Sequence, residues 1–488
     1  MKIKSVLIFP LLFALLASCL TFPASAEERG YKLVTYDVDY PDRVRFEKVY
    51  DNAEDLWDAA IADVIGNSKN QIILYQDWDL YEEKKVEVNG PVISIDLNGH
   101  SIIRHTDNGG QVRNGGVFRV IGNARLEIRD SDPNSAGYDG IRGGVITGGS
   151  STNGGGAFTV TDTARVTVTG GTVYKCTTSE HGGAVLLKGS SDATPCFEMN
   201  GGRIYFCQTT GASANSHGGA IYSDQGDVLL GGGVIDSCYS EDNGGAIYMN
   251  SGTLSAENVR FTGNHCLDYG GAVFISGGSL RVSRCRFSSN EAKKDGGAVY
   301  VDADDGSRFR DCIFNKNKSF GAGGAIYVND DRTFLIDTDV IANSAAGYGG
   351  GIYVDSMDDV GVKGLVRIYN NSGKNGRDNL TLQNGFATRA YLSDGGLYEG
   401  SRIGLSSTGT NVRYADDISV YQAGYFFSDR GELTMEKTYE RDASMLASVF
   451  TDGGYVWFVV GAALFLLCGA VTYAALTKKK KAGEDRVK

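Results

Sequence analysis

Short apolar runs of three or four residues, each flanked by Gly, Ser, Asn or Asp, fill the middle of this chain and return at a fixed interval. A Gly-Gly-Ala corner followed by alternating aliphatic and aromatic residues reads GGAIYM at Gly244–Met249, GGAVFI at Gly270–Ile275, GGAVYV at Gly296–Val301 and GGAIYV at Gly323–Val328. Looser versions stand at Gly182–Leu187, Gly218–Ser223 and Gly349–Val354. The third positions (Ala157, Ala184, Ala220, Ala246, Ala272, Ala298, Ala325 and Gly351) are 27, 36, 26, 26, 26, 27 and 26 residues apart. A period in the twenties marks a stacked repeat. Each repeat divides into three strands, which after Gly245 are AIYM, Thr253–Asn258 and Val259–Asn264. Strands this short, broken by glycine and small polar residues, cannot bury both faces as a flat sheet. Coiled, each pairs in parallel with its counterpart one turn on, at about 4.8 Å per rung.

A second column keeps the same phase. Val173, Ile204, Ile235, Phe261, Phe287, Phe314, Val340 and Ile368 recur at 31, 31, 26, 26, 27, 26 and 28 residues. Three positions beyond them stand Cys176, Cys207, Cys238, Asn264, Asn290, Asn317, Asn343 and Asn371. The predicted fold is therefore all-β, a parallel β-helix of about 26 residues per rung. In it Asn264, Asn290, Asn317 and Asn343 form a structural ladder at a corner, bonding turn backbone and tolerating left-handed geometry. The pairs Gly218-Gly219, Gly244-Gly245, Gly270-Gly271, Gly296-Gly297 and Gly323-Gly324 serve a corner that favours positive φ and has no room for a Cβ. Period-two alternation puts Ile247, Met249, Val299, Val301, Ile326 and Val328 inward, opposite Ala and Tyr. Only six prolines occur, the last being Pro195, as suits a ladder that uses its amide hydrogens at every rung.

The flanks depart from the repeat. Ala53–Ser68 places Leu56, Ala59, Ala60, Val64 and Ile65 on one face of an amphipathic helix, followed by a strand at Gln71–Tyr75 and an alternating stretch at Pro91–Ile103 that turns at Asn98-Gly99. Such a helix is expected to cap the open end of the stack. Lys2 and Lys4, an apolar run to about Phe22 and Ala24-Ser25-Ala26 read as a secretory signal peptide; Leu16–Cys19 offers a lipobox-like alternative in which Cys19 is lipidated. No charge lies between Asp452 and Lys478, long enough for one transmembrane helix. Lys478–Lys481 then hold the tail inside. The expected order is signal peptide 1–26, cap 27–90, β-helix 91–372, closing segment and stalk 373–452, transmembrane helix 453–477 and basic tail 478–488.

Charge sharpens the partner class. The chain carries −12, of which the leader supplies +2 and the tail +4, leaving −18 between them. That balance argues against nucleic acid. Of nine cysteines, Cys19 and Cys468 lie in apolar segments. The remaining seven include columns at Cys176/Cys207/Cys238 and Cys285/Cys312, where buried thiols are the favoured reading over disulfides between adjacent rungs.

The two phased signatures, GGA[IV] and F-x-x-N (FTGN, FSSN, FNKN), resemble the repeats of the polymorphic outer-membrane protein family over roughly residues 154–355. That resemblance implies a right-handed β-helix and a surface adhesin, and right-handedness also follows from the crossover rule for parallel strands. The expected single helix near the end replaces the outer-membrane barrel of that family. Residues 361–435 are similar instead to the closing segment of repeat-rich surface proteins of Gram-positive bacteria, which implies an anchored cell-surface protein. No LPxTG signal precedes the span.

Candidate chemistry follows from the columns. Tyr222, Tyr248, Phe274, Tyr300, Tyr327 and Tyr353 form an outward aromatic stripe able to stack on sugars or fill a protein interface. His181 and His217 both precede a Gly-Gly pair, but no third metal ligand shares their column. Acidic turns at Asp302–Asp305, Asp330-Asp331, Asp355 and Asp358-Asp359 would accept calcium, or simply solvate the loops. Enzymes on this fold need a positioned base or paired carboxylates. The nearest sets, Arg308/Arg310/Asp311 and Lys293/Lys294/Asp295, do not resemble the Asp-Asp, Gly-His-Gly and Arg-x-Lys set of polygalacturonases. The sequence therefore points to a membrane-anchored extracellular β-helix that is not an enzyme and binds glycan or protein surfaces without a cofactor. Its alternatives are an envelope-tethered polysaccharide lyase or hydrolase, and a spacer with no ligand.

Overall fold

Parallel pairing runs in four ladders, one more than the three strands expected in each turn. A computed structural model describes residues 29–430, apart from 38–41, 63–68, 82–85, 91, 107–114, 212–215, 304–305, 330–331, 356–358, 384–388, 409–414 and 417–419. The leader, the apolar segment 453–477 and the basic tail lie outside the described residues, among which no helix is long and apolar enough to cross a membrane.

One ladder holds the Gly-Gly-Ala strands, from Val86–Asn89 to Leu380–Leu382. A second runs from Lys69–Leu74 through Thr253–Glu257 to Ala415–Asp416, and a third from Trp78–Leu80 through Val259–Thr262 to Phe426–Ser428. The fourth consists of two-residue strands such as His265–Cys266 and Glu291–Ala292, too short to register as an apolar pattern. The stack makes about eleven turns. Its parallel pairing extends past both ends of residues 91–372: Lys69–Leu74 already pairs with Val92–Asp96, and Arg402–Ser407 pairs with Phe426–Ser428. Ahead of it, Tyr31–Tyr36 pairs antiparallel with both Val44–Tyr50 and Lys69–Leu74. The helix is described over Ala53–Ala62 and buries Ala53, Leu56, Trp57 and Ala60. Its Trp57 ring lies 5.6 Å from Trp78 and 6.5 Å from Phe118 of the first turns.

Register follows both columns, from Val173 opposite Ile204 through Phe261, Phe287 and Phe314 to Ile368. Inside the bore these rings stack, with Phe287 4.7 Å from Phe261 and 4.6 Å from Phe314. The alanines depart from expectation. Ala220, Ala246, Ala272, Ala298 and Ala325 are fully buried in the core instead of sharing the outward side with tyrosine. Alternation begins only at the next residue, because the strand itself starts at Ile247.

Each Gly-Gly pair divides two tasks. In the pairs from Gly218-Gly219 to Gly323-Gly324 the first glycine takes positive φ, from 65° at Gly323 to 70° at Gly270. The second does not, but a Cβ on Gly245 would meet the Gly271 carbonyl oxygen at 2.1 Å, and one on Gly297 would meet that of Gly324 at 2.1 Å. Successive corners are that close because their amides bond directly: Gly245 N donates to Gly270 O at 3.1 Å and Ala246 N to Ala272 O at 2.9 Å.

The asparagines are not corner residues in left-handed geometry. Asn264, Asn290, Asn317 and Asn343 are buried, and the left-handed position is the residue before each, for example Ser289 at φ 57° and Lys316 at φ 58°. From Asn290 onward each Asn Oδ1 accepts both the backbone and side-chain amides of the asparagine one rung earlier: Asn290 N and Nδ2 reach Asn317 Oδ1 at 3.1 and 2.9 Å. Each Nδ2 also donates to a carbonyl inside the bore, Asn290 to Phe261 O at 3.0 Å. The run starts at Cys238 N and continues through Asn371 and Asn379 to Asp429, whose carboxylate takes both amides of Asn379 at 2.6 and 2.5 Å. Upstream, Cys207 and Cys238 hold the same position and aim their thiols at the same kind of carbonyl, those of Val173 and Ile204. All seven described cysteines are free and buried, so no inter-rung disulfide forms. Burial pushes the Cys285 thiol up to about 11 and Cys312 to about 12.

Two substitutions test this frame by urea denaturation. Gly297→Val forces two backbones apart and is expected to cost about 3 kcal/mol or more. Asn317→Ala strands buried partners on both sides and is expected to cost about 2–4 kcal/mol. Wild-type midpoints in either variant would refute the assigned roles.

Candidate functional site

The aromatic column occupies the Gly-Gly-Ala ladder, where Tyr222, Tyr248, Phe274, Tyr300, Tyr327 and Tyr353 are direct register partners. Centroids of successive rings are 5.2, 5.1, 4.9, 4.9 and 5.2 Å apart, with planes within 27° of parallel. Rung spacing and ring stacking distance nearly coincide, so each ring covers the face of the next. The column is therefore half-buried, and Phe274 and Tyr353 are only 8% exposed. Stacking sugars on ring faces, the expectation from sequence, is closed off over most of the column. What faces outward is ring edge and phenol hydroxyl.

At three corners the residue before the Gly-Gly pair is itself a ring that packs on the column one turn on. His181 stacks on Tyr222 at 4.2 Å and His217 on Tyr248 at 4.4 Å, while Tyr269 lies 5.1 Å from Tyr300. The two imidazoles stack on each other at 5.5 Å, and Nδ1 of each accepts a backbone amide, from His217 and Asn243. They are thus extra rings of the column; among the described residues no three His, Cys, Asp or Glu side chains gather as metal ligands. Of the acidic turns, residues 304–305, 330–331 and 356–358 lie outside the described residues.

Further along the same face, Asp295 accepts the Ala322 amide at 2.5 Å, and the Tyr327 hydroxyl donates to Asp355 at 3.0 Å. Burial, reinforced by the Asp355 charge against the Ala322 amide and Lys294, raises the Asp295 carboxyl above the usual carboxylate range. Burial followed by the charge of Asp355 likewise raises the Tyr327 phenol and takes that of Tyr353 to about 12. The outward edge of the column is thus a series of phenol hydroxyls, interrupted by Phe274 and ending among carboxyl groups. Lys294 pairs with Asp268 at 2.8 Å, and Arg308 and Arg310 point out from a different ladder, so neither candidate catalytic set assembles into a base beside paired acids.

A family model for a right-handed β-helix region matches residues 183–372. The fold is a right-handed parallel β-helix. Comparison with curated proteins and with solved structures finds no match.

One feature of the β-helix had no sequence signal. A cleft of about 760 Å³ opens beside the helix Ala53–Ala62, lined by Tyr31, Trp57, Trp78 and Tyr81 with Asp51, Glu54, Asp58, Asp79, Glu87 and Arg104. Its residues come from five separate stretches of the chain, Tyr31, 51–58, 78–81, 86–87 and Arg104, which the antiparallel pairing of Tyr31–Tyr36 and the first parallel turns bring together. At its mouth Tyr81 stacks on His105 at 4.6 Å, whose Nε2 lies 2.6 Å from Asp79.

The stacked histidines predict a pH response. Burial lowers both pKa values below 6.5, and His217 lowers His181 further. The unfolded chain then binds more protons, so their contribution is full above pH 6.5 and is lost as pH falls through the folded values. Asp295 has the opposite sign, its contribution being lost as pH rises through its elevated folded value. Melting temperature is expected to fall on acidification from pH 7 to 5, and His181→Phe with His217→Phe, which keeps the stack, should flatten that slope. An unchanged slope would remove the histidines as its cause.

Proposed function

We propose that this protein is a membrane-anchored cell-surface β-helix that binds extended glycan or protein surfaces along one lateral face, as an adhesin does. The observation that carries this reading is the unbroken column of six aromatic residues, one per rung, presenting edges and hydroxyls beside carboxyl groups. A repeating row at about 4.8 Å suits an extended partner better than a compact one. Ring edges and hydroxyls make the contacts, because ring faces are already used within the column. The signal-like leader and the apolar run before Lys478–Lys481 support an anchored, outward-facing rod, and the helix Ala53–Ala62 is its N-terminal cap. The phased GGA[IV] and F-x-x-N signatures support kinship with polymorphic outer-membrane protein repeats.

A second reading, an envelope-tethered polysaccharide lyase or hydrolase, is favoured by one observation: Asp295, held protonated to higher pH beside Asp355 and Tyr327, has the character of a general acid.

Cells displaying the full chain distinguish the two. Tyr248→Phe, Tyr300→Phe and Tyr327→Phe together keep the stack, as Phe274 does naturally, and remove three hydroxyls. Expression is expected to persist while binding to immobilised glycans and matrix proteins falls at least tenfold. Undiminished binding would sink the stripe. Chain cleavage that disappears in Asp295→Asn would establish the enzyme instead.

A further inference from the structure

Six arginines gather around one convex corner of the coil, between the ladder of Thr253–Glu257, Ser279–Ser283 and Ser307–Arg310 and that of Val259–Thr262, Arg286–Ser288 and Ile313–Asn315. Arg281 is the direct register partner of Arg308, and Arg260 that of Arg286. Arg284 stands at the corner itself in left-handed geometry, φ 52°, and Arg310 lies beside it. All six side chains are exposed. The only carboxylates on these strands and corners are Glu257, which pairs with Arg284, and Asp311, so the local excess is +4 in a segment of the chain that carries −18. Arg308 lies over the Phe334 ring at 5.5 Å, whereas among the described residues Arg260, Arg281, Arg286 and Arg310 have no ion pair or side-chain hydrogen bond.

Like charges directly opposite one another destabilise a sheet. Two such pairs on adjacent rungs therefore have no account in folding, and the neighbouring positions of the same column are neutral: Ser255 precedes Arg281 and Phe334 follows Arg308. Guanidinium groups are also the side chains whose planar fork matches carboxylate and sulfate oxygens two at a time. We propose that this corner is a binding site for an acidic polysaccharide, a chain bearing a carboxylate or sulfate on successive sugars, laid along the coil axis. Its rung repeat of about 4.8 Å is too sparse for duplex DNA, which presents one charge every ~1.7 Å. The acidic remainder of the surface repels a polyanion elsewhere and directs it to the corner. The site lies on different ladders from the tyrosine column, so it stands or falls apart from the reading above.

The test uses the full-length protein in detergent micelles, titrated by fluorescence anisotropy with labelled heparin and polygalacturonate oligosaccharides. Dextran serves as the neutral control and a DNA duplex of equal charge as the competing polyanion. At least one acidic oligosaccharide is expected to bind, dextran is not, and affinity should fall steeply between 50 and 300 mM NaCl. Arg281→Ser, Arg286→Ser and Arg308→Ser together should weaken binding at least tenfold while leaving melting temperature unchanged or higher, since repulsion is relieved. The triple Tyr→Phe variant should bind as the wild type does. Absence of binding, equal binding by the arginine variant, or DNA binding as tight as the oligosaccharides would overturn the assignment. A lowered melting temperature in the arginine variant would assign these side chains to stability instead.

Discussion

Everything in this rod depends on how closely one turn of backbone can lie on the next. At the Gly-Gly-Ala corner the amides of one rung bond the carbonyls of the following one, and the second glycine leaves no space in which even a methyl group would fit. That contact sets the separation of all four ladders, since strands tied at one corner cannot drift apart at another. It explains why alanine, the smallest side chain available, follows the glycines and is buried at each turn from Ala157 to Ala325. It also explains why rings in both the Phe261 and the Tyr248 columns stack, because a chain repeating at strand spacing brings like residues to stacking distance.

Among the described residues the asparagine ladder is a continuous polar element within the apolar bore, and it is saturated. Each buried amide bonds its neighbour and a carbonyl, which is the condition for a buried polar network to stabilise a core. Its ends are handled chemically. Upstream the column changes to cysteine, a small apolar residue whose weak donor reaches the same carbonyl. Downstream Asp429 accepts both amides of Asn379, and Arg430 pairs with the buried Asp378 beside it. The passage from Asn371 to Asn379 crosses only eight residues, yet the amides still meet, because the hairpin Ser372–Arg377 stands in for a whole turn.

These constraints leave the outward-facing positions to carry function. On the Gly-Gly-Ala ladder, stacking uses the ring faces and leaves edges, hydroxyls and a few carboxyls toward solvent. On the corner between the second and third ladders, arginines recur in register where nothing in the fold requires them. The same periodicity that builds the core thus offers two chemically different linear surfaces on an acidic rod.

Period and phase by themselves determined the coil, the registry of both apolar columns and the identity of the stacked residues, because a repeat in the chain becomes contact between like residues whenever backbones pair one turn apart. Charge spacing could not reveal that Arg281 meets Arg308 until the strand register was known. Which residues turn inward at the corners was decided only in three dimensions. Alternation describes a strand, but Ala246 and Asn264 lie at its ends, where a left-handed residue such as Gly244 or Gly263 redirects the chain. The fourth ladder, the Asp429 terminus and the N-terminal cleft were equally silent in the sequence. They depend on two-residue strands or on residues distant along the chain, whose association is fixed by the cross-section of the coil and by no local pattern.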